Sequence, residues 1–293
     1  MTQLGEAALI AKILEHKHDE EECPFCQKNE EVTSEGVSSK EQDWDEDERT
    51  QDSYWTARIN NDPGQLEKNM AKAGEPRPSD WDLQYPVYDC SGQEIELPDD
   101  HTVTPNPHHL IPGNESLKQS KQILRWIYAD AEDSEIESDI NYDINNAQNG
   151  VWLPSNNAMR RNQIGSDVWE CDTVKITYAN AAQPGRGCFH DRHADYSRFA
   201  VKLLNKIANK MGQQNMVCQY NTEKGSEKHK PPYALVTRLN GVSLRLKSYL
   251  TQFNPDGFQP PLYTSKLVEM RVKIIKEYDD GRMAAIDCKF CKK

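Results

Sequence analysis

The chain has 293 residues, 36% hydrophobic and 28% charged, with a formal net charge of −12. That length supports one or two domains with a core of their own, and the composition is polar without being that of a uniformly disordered chain. No apolar run approaches the ~18–20 residues a membrane-spanning helix needs, no repeat recurs, and residues 1–18 lack the layout of a cleaved secretory signal.

A net charge of −12 on its face argues against a nucleic-acid binder. The distribution points the other way. Residues 1–100 carry 9 basic and 26 acidic side chains, a net of −17, whereas residues 161–293 carry 22 basic and 13 acidic, a net of +9. The chain therefore has an acidic front and a later region able to face phosphates.

Residues 4–14 space their apolar side chains as a short amphipathic helix. Cys23-Pro24-Phe25-Cys26 follows an acidic stretch, and residues 27–53 read as a loop or linker. Residues 54–100 mix Trp and Tyr with prolines and predict irregular packing, with at most short strands near 85–97. Pro105 to Pro112 reads as extended, because a residue before proline is pushed away from helix. Ser116 to Ala129 predicts a helix with a stripe of Leu117, Ile123, Leu124, Ile127 and Tyr128. Asn149-Gly150 signals a turn before the apolar Val151-Trp152-Leu153. Asp191 to Met211 is the strongest helix pattern, with Gly212 placed to end it. Asn240-Gly241 suggests a hairpin within Ala234 to Tyr249, and Leu262 to Tyr278 reads as strand or helix.

Five of the eight histidines fall in or beside two clusters: His108 and His109 after His101, and His190 and His193 at the start of the long helix. Two imidazoles three residues apart on a helix share one face. A loop pair and a helical pair together could hold a divalent metal and leave one imidazole as a base, although single histidines also bond carbonyls or cap helices. A metal held in this way relieves negative charge, and an unmetallated imidazole with a pKa near neutral suits water activation. Imidazole ligands suit Zn²⁺, Ni²⁺ or Mn²⁺, and Mg²⁺ also serves such chemistry. Arg160, Arg161, Arg186 and Arg192 lie near these clusters and are candidate phosphate contacts.

Three segments carry a resemblance: Pro107-His108-His109-Leu110-Ile111-Pro112-Gly113-Asn114, Tyr142-Asp143-Ile144-Asn145 through Asn149-Gly150-Val151-Trp152-Leu153-Pro154, and Phe189-His190-Asp191-Arg192-His193-Ala194-Asp195-Tyr196-Ser197. In type and order they resemble the AHH family of HNH-type nucleases, of the His-Me finger (ββα-metal) group, over residues 101–212. The family's alanine before the histidine pair is Pro107 here, a position without a catalytic atom. The resemblance implies an α+β fold with a His-Me finger core among helical and irregular surroundings. It implies His109 as general base, His108 and His193 as metal ligands, His190 as a second helical ligand or phosphate contact, and Asn149 holding the loop that aims His109. It implies one catalytic divalent metal and a nucleic-acid substrate, DNA before RNA, cut without sequence specificity. It also implies an antibacterial toxin made in a bacterial cytoplasm, passed to a target cell by a specialised secretion system with a carrier, and neutralised by an immunity protein.

The implied organisation is residues 1–53 as helix, C-x-x-C and acidic linker, 54–100 as wrap, 101–212 as nuclease core, and 213–293 as a basic extension ending in C-x-x-C. Eight cysteines include the pairs Cys23/Cys26 and Cys288/Cys291, which together could form a Cys₄ structural zinc clasp joining the two ends of the chain; His16 and His18 are substitute ligands. A glutaredoxin-type role for the first pair is disfavoured, because no apolar strand precedes it. Cys90, Cys171, Cys188 and Cys218 stand alone; delivery into an oxidising compartment would allow disulfides, whereas synthesis in a bacterial cytoplasm would not favour them. The competing reading is a non-catalytic, zinc-clasped interaction or secretion-adaptor protein, whose metal only cysteine substitutions would remove.

Overall fold

The computed structural model describes residues 56–131, 134–155, 171–184, 186–191, 194–213, 228, 231–232 and 234–251. Its elements are α1 (Pro63–Lys72), β1 (Pro105–His109), α2 (Lys121–Leu124), β2 (Gly150–Pro154), α3 (Asp172–Ala182), α4 (Ala194–Gln213) and α5 (Leu235–Thr251). A π-type turn, Gly113–Leu117, precedes α2, and a 3-10 turn, Ala147–Asn149, leads into β2. β1 and β2 pair as a two-stranded sheet. Mixed helix with a small sheet agrees with the α+β expectation. The helix expected at 4–14 and the segment 262–278 lie outside the described residues. So do Cys23, Cys26, Cys288 and Cys291, the four ligands of the expected zinc clasp, together with His16, His18 and Cys218. No described helix is long and apolar enough to cross a membrane.

The chain divides into two compact units, each drawn from three separate stretches. The first holds the described parts of Met1–Gly74, His109–Gly150 and Ser197–Leu244. The second holds those of Glu75–His108, Val151–Tyr196 and Arg245–Lys293.

In the first unit, α1 starts because Asp62 caps it, accepting from the Gln65 amide at 3.0 Å, and Pro63 presets the first helical φ. This helix lies in a stretch expected to be irregular. The Asp-Pro start was legible; the apolar stripe is short, with only Leu66 and Met70 as buried hydrophobic residues of α1. Glycine at 150 lets α1 approach without displacing a side chain, since an added Cβ would sit 2.5 Å from Met70 Sδ. The continuous helix expected over 116–129 is broken into the π-type turn and the four-residue α2. Ser120 lies between them at φ −93°, ψ 65°, and its hydroxyl donates to the Ser116 carbonyl at 3.1 Å. A serine that bonds nearby backbone competes with the helix in this way.

The hairpin expected around Asn240-Gly241 is instead the middle of α5. Leu235, Leu239, Ser243, Leu246 and Leu250 recur three or four residues apart and are all buried, so the helical period overrides the local turn signal. Gly241 faces open space. α4 begins three residues later than Asp191 and runs one residue past Gly212.

In the second unit an irregular segment is laid along α3. Trp81 bridges Val103, and its indole N–H donates to the Ala182 carbonyl at 3.1 Å. Trp81, Val87, Val103, Val174, Tyr178, Ala179, Ala182 and Phe189 form one buried cluster. The strands expected near 85–97 reduce to one bridge, Tyr88 to Glu94. Cys90 and Cys171 do not stand alone: a disulfide joins them across 81 residues of sequence and ties this segment to the start of α3. The pairing was invisible in sequence because only packing along α3 brings the two together. Closing a loop of this length restricts the unfolded chain by about 4 kcal/mol. Reduction, or the Cys90→Ala/Cys171→Ala pair, should lower the unfolding free energy by about 2–4 kcal/mol, read by denaturant titration with and without reductant. Cys188 is a free thiol that burial pushes up to about 12, so it is an inert packing residue.

Candidate active site

β1 carries His108 and His109 as consecutive residues, and neighbours along a strand point to opposite faces. Each imidazole therefore has its own surroundings. Both are buried.

In the first unit, His109 Nε2 lies 2.8 Å from Asn145 Oδ1. The amide of Asn145 is oriented by its other bonds. Its Oδ1 accepts from the Asp62 amide at 2.9 Å, and its Nδ2 donates to the Asn60 carbonyl at 3.1 Å. An amide oxygen only accepts, so the His109 proton is on Nε2 and the lone pair on Nδ1. Burial lowers the His109 pKa, while the Asn145 bond and the charges of Asp62 and Glu115 pull it back up. An imidazole held neutral with one nitrogen fixed as donor is suited to accept a proton at the other.

Asn149 holds the backbone around this group. Its Oδ1 accepts from the Ile111 amide and the Ser243 hydroxyl, both at 2.8 Å. Its Nδ2 donates to the carbonyls of Ile111 at 3.0 Å and Ile144 at 2.8 Å. The segment following β1 is thus stapled to the segment preceding β2. Ser243, on α5, was not singled out by sequence reading; its bond spans 94 residues, and no local pattern announces it. Asn145 lies in the second of the three segments that carry the family resemblance, but which asparagine of that segment meets His109 is decided by the turn around it.

In the second unit, the His108 ring lies 4.5 Å from that of His190 and 5.3 Å from that of Tyr196, centroid to centroid. His190 is not on the long helix as expected. It bridges Ser155, and its amide donates to the Pro154 carbonyl at 2.7 Å. Chain pairing, not helix periodicity, therefore sets it beside His108. Tyr196 is fully buried, and burial holds its phenol protonated. It packs edge-on against the His108 ring and limits its rotation.

Two imidazoles on one cation, with metal–nitrogen distances of ~2.0–2.1 Å, put their centroids roughly 5 Å apart. His108 and His190 fit that spacing. Among the described residues no group of three His, Cys, Asp or Glu gathers that could hold a metal ion. Of the sequence-predicted site residues, His193, Arg192, Arg160 and Arg161 lie outside the described residues, as do the metal candidates Cys23, Cys26, Cys288 and Cys291. Arg186 is exposed, with its guanidinium 4.9 Å from the centre of the Trp81 ring.

Mixed helix with a small two-stranded sheet is compatible with the fold of an HNH-superfamily nuclease. Residues 99–224 match the AHH family, a nuclease family of the HNH/ENDO VII superfamily with conserved AHH. Here the motif reads Pro107-His108-His109. No curated protein and no solved structure matches the chain. HNH-type nucleases use divalent metals and act on nucleic acid.

Proposed function

We propose that the chain is a metal-dependent endonuclease that hydrolyses DNA phosphodiesters without sequence specificity. The observation that carries the reading is the His109–Asn145 bond, which fixes the His109 proton on Nε2 and leaves Nδ1 as the basic atom. His109 takes a proton from water, Asn145 holds its ring, and Asn149 holds the backbone on either side. His108 and His190, with His193 as a third ligand, would hold the divalent cation, Mg²⁺, Mn²⁺, Ni²⁺ or Zn²⁺. Such a cation supplies charge relief at the phosphate and at the leaving oxygen. Arg186 and the arginines 160, 161 and 192 are the proposed phosphate contacts.

The nuclease is tested by incubating plasmid DNA, and separately RNA, with purified protein and each metal or EDTA. Metal-dependent nicking is expected, and absence of cleavage on both substrates would overturn the reading. Asn145→Ala removes the bond that sets the His109 tautomer. It should lower kcat about tenfold or more with little change in KM, measured by steady-state cleavage.

The same reading makes the chain an antibacterial toxin, made in a bacterial cytoplasm and passed to a target cell by a specialised secretion system with its carrier. A cognate immunity protein would protect the producer. These roles rest on the family likeness alone. Expression in bacteria should arrest growth, His109→Ala should abolish the arrest, and a co-expressed immunity protein should relieve it. Normal growth on expression of active nuclease would set the toxin role aside. A structural zinc on Cys23, Cys26, Cys288 and Cys291 belongs to the same reading and rests on their C-x-x-C spacing. Elemental analysis should find one zinc fewer in Cys288→Ala/Cys291→Ala than in the wild type; equal zinc in both would remove the clasp.

A further inference from the structure

α4 carries a charge pattern that the nuclease site does not use. Arg198, Lys202, Lys206 and Lys210 recur at every fourth residue, and all four are exposed. The buried side chains Tyr196, Ala200, Leu204 and Ala208 recur at the same interval, two residues earlier in each case. Two residues are about 200° of helical rotation, so the cations occupy the face opposite the buried one. The only acidic residue of α4 is Asp195, in its first turn, where the helix dipole favours a negative charge. Like charges four residues apart repel, and a surface helix ordinarily alternates them with acids. None of the ion pairs among the described residues involves Lys202, Lys206 or Lys210. The exposed positions between the cations are Asn205 and Asn209, which add neutral hydrogen-bonding groups and no opposing charge. In a chain of net charge −12, this stripe is a local inversion of sign.

We propose that this face of α4 is a track for the phosphate backbone of a nucleic-acid duplex. The proposal deepens the nuclease reading and rests on it. The ladder rises about 18 Å, which spans roughly five phosphates of one strand. Cations carried on long flexible stems hold phosphates without reading bases, so the track gives affinity and no sequence preference. Its first member follows Ser197, whose carbonyl accepts the Ser116 hydroxyl at 3.0 Å. Ser116 in turn lies in the π-type turn that follows β1. Within the first unit, the start of the track is therefore tied to the segment that leaves His109.

The test uses the full chain. Binding of a short random-sequence duplex is measured across salt concentrations in the His109→Ala background, where no cutting interferes. Lys202→Gln/Lys206→Gln/Lys210→Gln is compared with Lys68→Gln/Lys121→Gln, which removes exposed lysines outside α4. Loss of three phosphate contacts should make the log–log salt dependence shallower by about 2–3. In the catalytically intact protein the same triple change should raise KM about tenfold or more and leave kcat within about twofold. The control should do neither. A protein that cleaves DNA, yet keeps its salt dependence and KM in the triple variant, would overturn the track and leave the nuclease standing. A protein that neither binds nor cleaves nucleic acid would overturn both. Unchanged duplex binding, with loss of binding to polyglutamate, would reassign the face to an acidic protein.

Discussion

His109→Ala should lower kcat for plasmid nicking by about 10²–10⁴-fold, the usual contribution of a general base. Binding of duplex should remain, because phosphate contacts and not the base supply affinity. The fold should remain too. The substitution frees Asn145 Oδ1 from one bond but leaves it the Asp62 amide, so no acceptor is orphaned. Circular dichroism and a denaturation midpoint close to that of the wild type would separate a chemical defect from unfolding. A variant that retained more than about a tenth of wild-type kcat would remove His109 from the base role.

Asn149→Ala should act on stability instead. Asn149 is fully buried, and its side chain satisfies the Ile111 amide, the Ile111 and Ile144 carbonyls and the Ser243 hydroxyl. Alanine leaves these groups without that partner in the interior. A buried polar group that loses its partner costs about 1–3 kcal/mol, and relaxation offsets part of the sum, so the expected loss is about 3–5 kcal/mol. Denaturant titration reads it directly. Ser243→Ala removes only one of the four bonds and should cost about 1 kcal/mol. A loss near zero for Asn149→Ala would mean that water replaces these bonds and that the residue is no staple.

The strand and turn signals of the sequence worked where local sterics decide. The prolines at 105 and 107 forced extension, and β1 is Pro105–His109. Asn149-Gly150 ends a turn, and β2 begins at Gly150. Where a local signal competed with burial, burial won. Asn240-Gly241 resembles a hairpin turn, but the leucines around it repeat at helical spacing and α5 continues through. Ser116 to Ala129 has an apolar stripe, but Ser120 turns its hydroxyl onto the backbone and separates the π-type turn from the short α2.

Sequence alone determined which residues are equipped for chemistry: the two histidine clusters, the asparagine-rich stretch between them and the acidic-to-basic charge division along the chain. Residue type and order carry that information, because imidazole, amide and charge are properties of single side chains. Only the tertiary structure decided which of them meet. It put Asn145 on His109, Ser243 on Asn149, His190 beside His108, and Cys90 on Cys171. Each of these pairs is separated by tens of residues, with no periodicity linking its members. Their meeting depends on how buried apolar surface packs, and that sum over the whole chain is not written in any local stretch of it.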